Sequence, residues 1–273
     1  RIALVFGLFI GNLIFYFSQK ERKKALNNLY IAFGSEKSNE EIQDICHKCF
    51  KNLGKGLIEF LQLPKLKPYN LNKLVDIEGK ENLDNALKKG KGAIILTAHL
   101  GNWELTGASF PLLGYKTSTI VRPEKLNRID QWVNKRREGT GLKCIGRGSS
   151  IKNALQCLKR NELLGILPDV DTKVDGVFVD FFGKPAYTPR GPVSIAIKTG
   201  CDILPAFMIR QKDDRHKLII EKPIELKITG NIEEDIRYNT ETFTKIIESY
   251  IREYPDQWIW THNRWKTQER KPF

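Results

Sequence analysis

Histidine is rare in this sequence, and one of its four histidines follows directly on a predicted strand. His99 comes after the apolar run at residues 93–98, and Glu104 lies five residues further on. Catalytic groups gather at the carboxyl ends of strands in open α/β sheets. Gly101 and Asn102 can turn the chain and start a helix, so that the Glu104 carboxylate folds back and accepts a hydrogen bond from one ring nitrogen of His99. The other nitrogen would then act as a general base toward a substrate hydroxyl.

The same spacing also fits a pair with no catalytic role. A histidine at a strand end can be held by hydrogen bonds alone, and a glutamate in the first turn of a helix is favoured by the helix dipole. Spacing therefore leaves both interpretations of His99 and Glu104 open.

The cysteines indicate neither a disulfide framework nor a metal site. There are five, scattered over a long chain, so a reducing compartment is expected. Residues 46–49 (CHKC) are similar to half of a zinc site, but a structural zinc needs four ligands and no second pair with ligand spacing follows. We interpret these residues as helix positions and expect no metal and no cofactor.

Apolar runs of strand length alternate with helical patterns along most of the chain. Spacings of three and four residues predict helices at residues 25–33 and 39–63, and Ser38 with Glu41 forms a capping box for the second. Strands are predicted at residues 93–98, 116–121, 142–145, 163–167 and 203–209. Further helices are predicted at residues 82–87, 129–138, 151–159, 192–198 and 233–253. Two extra strands are predicted at residues 176–182 and 218–225, and the second of these is a candidate for antiparallel pairing. Unbroken apolar strands are typical of parallel sheets. The order predicts an α/β fold with a mostly parallel central sheet flanked by helices.

The first seventeen residues differ from the rest in composition. Residues 2–17 carry no charge, and residues 20–24 (KERKK) follow them. A helix of sixteen residues is about 24 Å long, short of the ~30 Å hydrocarbon core of a bilayer. No small-residue cleavage site follows, which argues against a secretory signal. We predict a membrane-associated helix at residues 1–19, with residues 20–273 as a single domain on the cytoplasmic side; a buried helix of that domain is the alternative.

The net charge of +13 calls for an anionic partner. Nucleic acid, an anionic membrane, acidic lipid headgroups and an acidic carrier protein all qualify. A nucleic-acid-binding protein is disfavoured, because the sequence has no reader motif and the apolar segment at residues 2–17 would have no place in it. A non-catalytic lipid-binding protein of the same fold remains an alternative, although it would not need both His99 and Glu104.

Several segments together resemble a known family. Residues 99–104 (HLGNWE) resemble motif I, H-x4-D/E, of the glycerolipid acyltransferase superfamily. The complete six-residue sequence is similar to that of one branch of the superfamily, the late lipid A acyltransferases. Residues 176–186 (GVFVDFFGKPA) and 257–266 (QWIWTHNRWK) are similar to further stretches of that branch, in the same order along the chain.

The resemblance implies an acyltransferase that works without a cofactor. It would move a fatty acyl chain from acyl carrier protein or acyl-CoA to a hydroxyl of a lipid A precursor, an anionic glycolipid. Its place would be the cytoplasmic side of the bacterial inner membrane. Relatives in the same branch acylate phosphatidylinositol mannosides or other lysolipids, so the acceptor stays open.

The resemblance also implies substrate-binding residues. Arg147 is similar to the arginine of the second motif, which holds an anionic substrate group, and Asp169 and Asp171 stand at the third motif. Arg137 resembles a family arginine on a helix, with its neighbour Arg136 as the alternative. Arg122 ends the strand that follows His99, so it can reach the same mouth of the sheet. An arginine suits phosphate because its planar fork donates two parallel hydrogen bonds.

Overall fold

The computed structural model describes residues 2–121, 126–146, 150–172 and 174–269 of the chain. Two residues predicted to bind substrate, Arg122 and Arg147, lie outside these described residues. The described helices are α1 (Ile2–Phe17), α2 (Gln19–Phe33), α3 (Asn39–Gln62), α4 (Pro68–Leu71), α5 (Lys80–Lys88), α6 (Trp103–Leu112), α7 (Asn127–Glu138), α8 (Ser150–Lys159), α9 (Gly191–Thr199) and α10 (Ile232–Glu253).

Of the strands in the described part of the chain, seven form one central sheet and two form a hairpin. The strands are β1 (Val75–Glu78), β2 (Ala93–Leu96), β3 (Thr117–Val121), β4 (Lys143–Gly146), β5 (Leu163–Ile166), β6 (Gly176–Phe181), β7 (Lys184–Pro189), β8 (Asp202–Arg210) and β9 (His216–Ile220). The sheet has the order β1-β9-β8-β2-β5-β3-β4, and β6 pairs with β7. Within the sheet only the β8–β9 pair is antiparallel. The predicted α/β class with a mostly parallel sheet is confirmed.

Both faces of the sheet are covered, which explains the unbroken apolar strands. In β2, Ile94 and Leu96 point into a core shared with α2, α3 and α8–α10, whereas Ala93 and Ile95 point into a second core with α5 and α6. All four of these side chains are buried. When both faces of a strand are buried, apolar side chains are favoured at every position, so apolar and polar residues do not alternate along it.

Helix α1 packs so closely against α3 that the backbones of the two helices are in contact. A Cβ atom added to Gly7, Gly11 or Gly54 would lie 2.8, 2.3 or 2.2 Å from a backbone atom of the facing helix. Only glycine allows such an approach, so this pair of helices depends on all three positions. Among the described helices none is by itself both long and apolar enough to cross a membrane, and α1 with α2 meets that test only as a pair bent by 89°.

The cysteine-rich motif lies in the middle of α3, as predicted. Cys49 donates from Sγ to the backbone oxygen of Trp258, and the His47 ring bonds to Asn12 of α1. Burial raises the pKa of the Cys46 thiol to about 11 and that of Cys49 to about 12. These side chains join α3 to α1 and to the C-terminal segment.

Two strands were not predicted from the sequence. Strand β1 has four residues, and two of them are charged. Strand β7 contains two prolines, which are tolerated because β7 pairs only with β6. The strand predicted at residues 218–225 begins and ends earlier, as β9, and its antiparallel pairing with β8 is confirmed.

Candidate active site

A pocket of about 770 Å³ opens at the carboxyl ends of β2, β3 and β5. Its polar wall contains His99, Glu104 and Arg137, and much of the remaining wall is apolar. Parallel strands bring their carboxyl ends to one edge of the sheet, which is why residues distant in sequence meet here. The pocket therefore has ionisable side chains on one wall and space for a hydrophobic chain beside the others.

The turn after β2 fixes where His99 points. Gly101 adopts a φ of +60°, and a Cβ atom there would lie 1.7 Å from the backbone oxygen of Met208, so no other residue fits. The backbone N–H of Gly101 donates to Gln257 and that of Asn102 to Met208. The side chain of Asn102 then caps α6 by accepting from the N–H of Leu105 at 2.9 Å. The turn is thus anchored to β8 and to the C-terminal segment.

His99 is paired with Asp169. The Nδ1 atom of His99 lies 2.9 Å from Oδ1 of Asp169, and the His99 backbone N–H donates to Oδ2 at 2.8 Å. The indole of Trp258 donates to the same Oδ2 at 2.8 Å. Because the carboxylate can only accept, we assign the ring proton to Nδ1, which leaves Nε2 as the basic nitrogen.

The Asp169 charge tunes the His99 ring. Burial alone would lower the pKa of His99, but the Asp169 carboxylate outweighs it, and the pKa lies above its ordinary value. Burial likewise opposes ionisation of Asp169, yet His99 and Trp258 hold the pKa of this carboxyl below its ordinary value. The side chain of Asp169 has no exposed area, whereas that of His99 is 26% exposed. The pair is therefore arranged to stabilise a positively charged imidazole.

Glu104 has a different partner from the one predicted. Arg137 donates from Nε to Oε2 of Glu104 at 2.8 Å and from Nη2 to Oε1 at 2.5 Å. The expected hydrogen bond from His99 to Glu104 was wrong, because Asp169 occupies Nδ1 and Arg137 occupies both carboxylate oxygens. Glu104 still lies in the pocket wall, where it holds the Arg137 guanidinium in place.

An ionic network lies behind Asn102. Glu59 of α3 accepts from both terminal nitrogens of Arg210, at 2.7 and 2.6 Å, and from Nδ2 of Asn102 at 2.7 Å. Its Oε1 is also 3.0 Å from Nε2 of His216. Burial opposes ionisation, but these hydrogen bonds lower the pKa of Glu59 to about 2. The cap of α6 is thereby tied to α3, β8 and β9.

Comparison with known sequences identifies the family of this chain. Residues 1–267 match the profile of the family described as bacterial lipid A biosynthesis acyltransferase. The chain belongs to this family. It is 28% identical over 265 residues to the lipid A biosynthesis palmitoleoyltransferase of Escherichia coli K12, covering 96% of this chain and 84% of the relative.

Two other relatives differ in the lipid that their names give. The lipid A biosynthesis lauroyltransferase of Escherichia coli K12 is 24% identical over 267 residues, which is 96% of this chain and 84% of the relative. The phosphatidylinositol mannoside acyltransferase of Mycobacterium tuberculosis (strain CDC 1551 / Oshkosh) is 29% identical over 161 residues, or 57% of this chain and 51% of that protein. The chain is accordingly an acyltransferase of the lipid A family.

The described site residues predicted for this acyltransferase take four different positions. His99, Glu104 and Arg137 meet at the pocket, whereas Arg136 lies over the Trp132 ring with its guanidinium carbon 3.5 Å from the centroid. Asp169 lies behind His99. Asp171 is buried and accepts from the backbone N–H of Thr267, so it ties down the C-terminal segment instead of reaching the described pocket wall.

Sequence reasoning missed several polar residues of the pocket, among them two cations and a second histidine. Lys198 lines it from α9, Arg190 from the residue before α9, and His262 from the C-terminal segment. Nε2 of His262 lies 3.1 Å from the backbone oxygen of Asp171, and burial lowers the pKa of His262. The only signal in the sequence was the position of His262 within the family-like stretch at residues 257–266.

Removing the cap of α6 should reduce turnover more than it reduces stability. Asn102→Ala removes both the cap and the hydrogen bond to Glu59, so the first turn of α6 and Glu104 can shift; we expect kcat to fall about tenfold or more with KM nearly unchanged. Loss of a helix N-cap of this kind should by itself cost about 0.5–2 kcal/mol in the free energy of unfolding.

The matched control is Asn231→Ala. Asn231 caps α10 by the same type of contact, with Glu234, but lies away from the pocket. Thermal melting should show a loss of stability in both variants, larger in Asn102→Ala because it also loses the hydrogen bond to Glu59, and initial rates should show a loss of kcat in Asn102→Ala alone. Equal kcat in the two variants would contradict a positioning role for Asn102.

Proposed function

We propose that this enzyme transfers a fatty acyl chain from an acyl thioester to a hydroxyl of a lipid A precursor, with His99 as the general base. The observation that carries the proposal is the buried Asp169–His99 pair at the wall of a largely apolar pocket. Such a pair orients one imidazole nitrogen toward the substrate and stabilises the charge that forms on the ring.

The reaction needs one proton to be moved twice. Nε2 of His99 takes the proton of the acceptor hydroxyl while its oxygen attacks the thioester carbon. The tetrahedral intermediate then breaks its C–S bond, and the departing thiolate takes the proton from the imidazolium. Asp169 stabilises the imidazolium between these steps. Arg137, held by Glu104, supplies positive charge at the pocket wall for the oxyanion or for an acceptor phosphate.

The apolar side of the pocket is suited to the acyl chain. Gly107, Phe110 and Leu142 line it beside α6, and a Cβ atom on Gly107 would lie 3.0 Å from the Leu142 side chain. A side chain at Gly107 would therefore occupy the space that a long acyl chain needs.

We expect Gly107→Leu to shift the preference toward shorter acyl chains. The new side chain fills part of the slot, so the longest chains lose kcat/KM while short ones keep theirs. Competition between acyl thioesters of different length, analysed by mass spectrometry, measures this ratio. Gly56→Leu is the control, since Gly56 is also inside a helix and has open space around its Cβ position. An unchanged length profile in Gly107→Leu would place the chain elsewhere.

We further propose that the donor is acyl carrier protein or acyl-CoA and that the enzyme works on the cytoplasmic side of the bacterial inner membrane. The net charge of +13 favours acidic partners, and the uncharged helix α1 with the basic residues 20–24 favours an anionic membrane. A phosphatidylinositol mannoside is the second candidate acceptor, because three relatives are named phosphatidylinositol mannoside acyltransferase.

A matrix of substrates tests the proposal. The purified full chain is incubated with acyl carrier protein or CoA thioesters and with a lipid A precursor, a phosphatidylinositol mannoside or a lysophospholipid, and products are identified by mass spectrometry. We expect an ester on the lipid A precursor. Exclusive acylation of another lipid would move the acceptor, and no acylation of any hydroxyl would overturn the proposed function.

A further inference from the structure

Helix α1 presents an apolar face that the rest of the described chain leaves open. Its glycines and Phe15 pack against α3, whereas Val5, Phe6, Phe9 and Phe17 are each more than half exposed. The helix carries no charge along its sixteen residues. A contiguous apolar face that is exposed to solvent marks a contact with a partner or a membrane.

The exposed apolar surface continues onto the C-terminal half of α3. Gly7 contacts Gly54 and Gly11 contacts Phe50, so the two helices are antiparallel and the start of α1 points toward the end of α3. Leu57 and Leu61, three and seven residues beyond Gly54, lie on the same side of α3 and are 44% and 40% exposed.

From α3 the surface passes to α7. The ring of Phe60 contacts that of Trp132, with 5.9 Å between centroids. Trp132 and Ile129, one turn apart on α7, are 41% and 48% exposed, and Leu126 just before the helix is 63% exposed. We call Leu57, Leu61, Leu126, Ile129 and Trp132 the apolar rim.

Helix α7, which carries part of the apolar rim, also borders the pocket. Helix α7 follows β3, whose last residue Val121 lines the pocket, and Arg137 in the last turn of α7 lines it as well. Two sides of the same helix thus serve two surfaces, since Arg137 faces the active site while Ile129 and Trp132 are exposed to solvent.

We propose that the apolar rim and the outer face of α1 together lie in the headgroup region of an anionic bilayer, so that the pocket opens into the lipid leaflet. The inference rests on the proposed function, because it gives the lipid acceptor a path to His99 that avoids water. It goes further in assigning the second contact to α7, a helix of the catalytic domain.

The charges beside the rim fit this partner. Arg128 and Lys135 are exposed on α7, and the guanidinium of Arg136 stacks over Trp132. A tryptophan with cations beside it is typical of the membrane interface, where the indole meets the acyl boundary and the cations meet anionic headgroups. An acidic protein would also match the cations, but protein docking surfaces mix polar with apolar groups, and the uncharged face of α1 that continues the rim does not.

Fluorescence quenching tests the contact directly. The full chain is mixed with vesicles of phosphatidylglycerol and phosphatidylcholine that carry brominated acyl chains. Trp258, Trp260 and Trp265 are buried and Trp103 is half-buried in the pocket wall, so the quenching that is lost when Trp132 is replaced measures the contact of Trp132 itself. We expect strong quenching in the wild type and a large loss of it in Trp132→Phe. Equal quenching in both proteins would overturn the proposal.

A negative charge introduced into the apolar rim gives the second test. Ile129→Glu, with α1 intact, should weaken partitioning onto the same vesicles several-fold. Ile232→Glu should not, because Ile232 is even more exposed (61% against 48%) but lies on α10, over the other face of the sheet. Vesicle sedimentation measures this. If Ile129→Glu keeps wild-type partitioning and raises KM for acyl carrier protein instead, the rim binds the donor and the proposal is wrong.

Activity in detergent separates this inference from the proposed function. Ile129 does not line the described pocket, so Ile129→Glu should transfer acyl chains to a detergent-dispersed acceptor at the wild-type rate. Loss of transfer only with acceptor in vesicles supports the rim. A wild-type enzyme that binds vesicles but acylates nothing would instead refute the proposed function and leave the membrane contact standing.

Discussion

His99→Ala should lower the rate of acyl transfer by about 10²- to 10⁴-fold, the usual contribution of a general base. The acceptor hydroxyl would keep its proton as its oxygen approaches the thioester, and no other described side chain of the pocket combines a basic nitrogen with a buried carboxylate behind it. The loss should fall on kcat, since the imidazole acts mainly in the transition state.

Single-turnover rates with a saturating acyl thioester measure this effect. His47→Ala is the control, because His47 bonds to Asn12 at the α1–α3 contact and is far from the pocket in the fold. Its turnover should stay near that of the wild type, and the melting temperature of His99→Ala should show that the variant folds. Near-wild-type turnover in folded His99→Ala would remove His99 from the mechanism.

The position of His99 could be predicted from the sequence, but its partner could not. A strand followed by a glycine turn and a capping asparagine is a local pattern, and the structure contains each of these parts in order. Asp169 is 70 residues further along the chain, and it reaches His99 only because β5 lies next to β2 in the sheet. Strand order is a property of the whole fold, so spacing along the sequence favoured the nearer carboxylate, Glu104.

The arginines illustrate the same limit at shorter range. Arg136 and Arg137 are neighbours in sequence, and helical periodicity alone does not say which one turns toward the sheet. The structure separates them, since Arg137 pairs with Glu104 while Arg136 stacks on Trp132. The helices and strands of the core were easier to predict, because burial on both faces of the sheet requires long runs or regular spacings of apolar residues that are visible in the sequence.

Asp169→Asn should lower kcat by as much as about 10⁴-fold, the loss that the matching change causes in a Ser-His-Asp triad. The amide can still accept hydrogen bonds through its oxygen, from Trp258 Nε1 and the His99 backbone, so the buried site keeps most of its contacts. Its NH2 group then faces Nδ1 of His99. That favours the tautomer with the proton on Nε2, and this nitrogen can no longer take a proton from the acceptor.

The pH dependence gives a second measure of the same change. His99 works as a base only when it is neutral, so activity in the wild type rises as the pH increases through a pKa that Asp169 holds above its ordinary value. Without the carboxylate charge that pKa should fall. The acidic limb of the kcat/KM profile should therefore move to lower pH in Asp169→Asn, even though the maximal rate is much smaller.

Asp171→Asn is the matched control for both measurements. Asp171 is also buried, two residues away, and its carboxylate accepts from the backbone N–H of Thr267 without contacting His99. It should keep a near-wild-type kcat and an unmoved acidic limb, although its stability should fall. If Asp171→Asn lost as much activity as Asp169→Asn, or if Asp169→Asn left the acidic limb where it was, the charge of Asp169 would not act through His99. The contribution of this segment would then be the anchoring of residues 257–267 against the sheet.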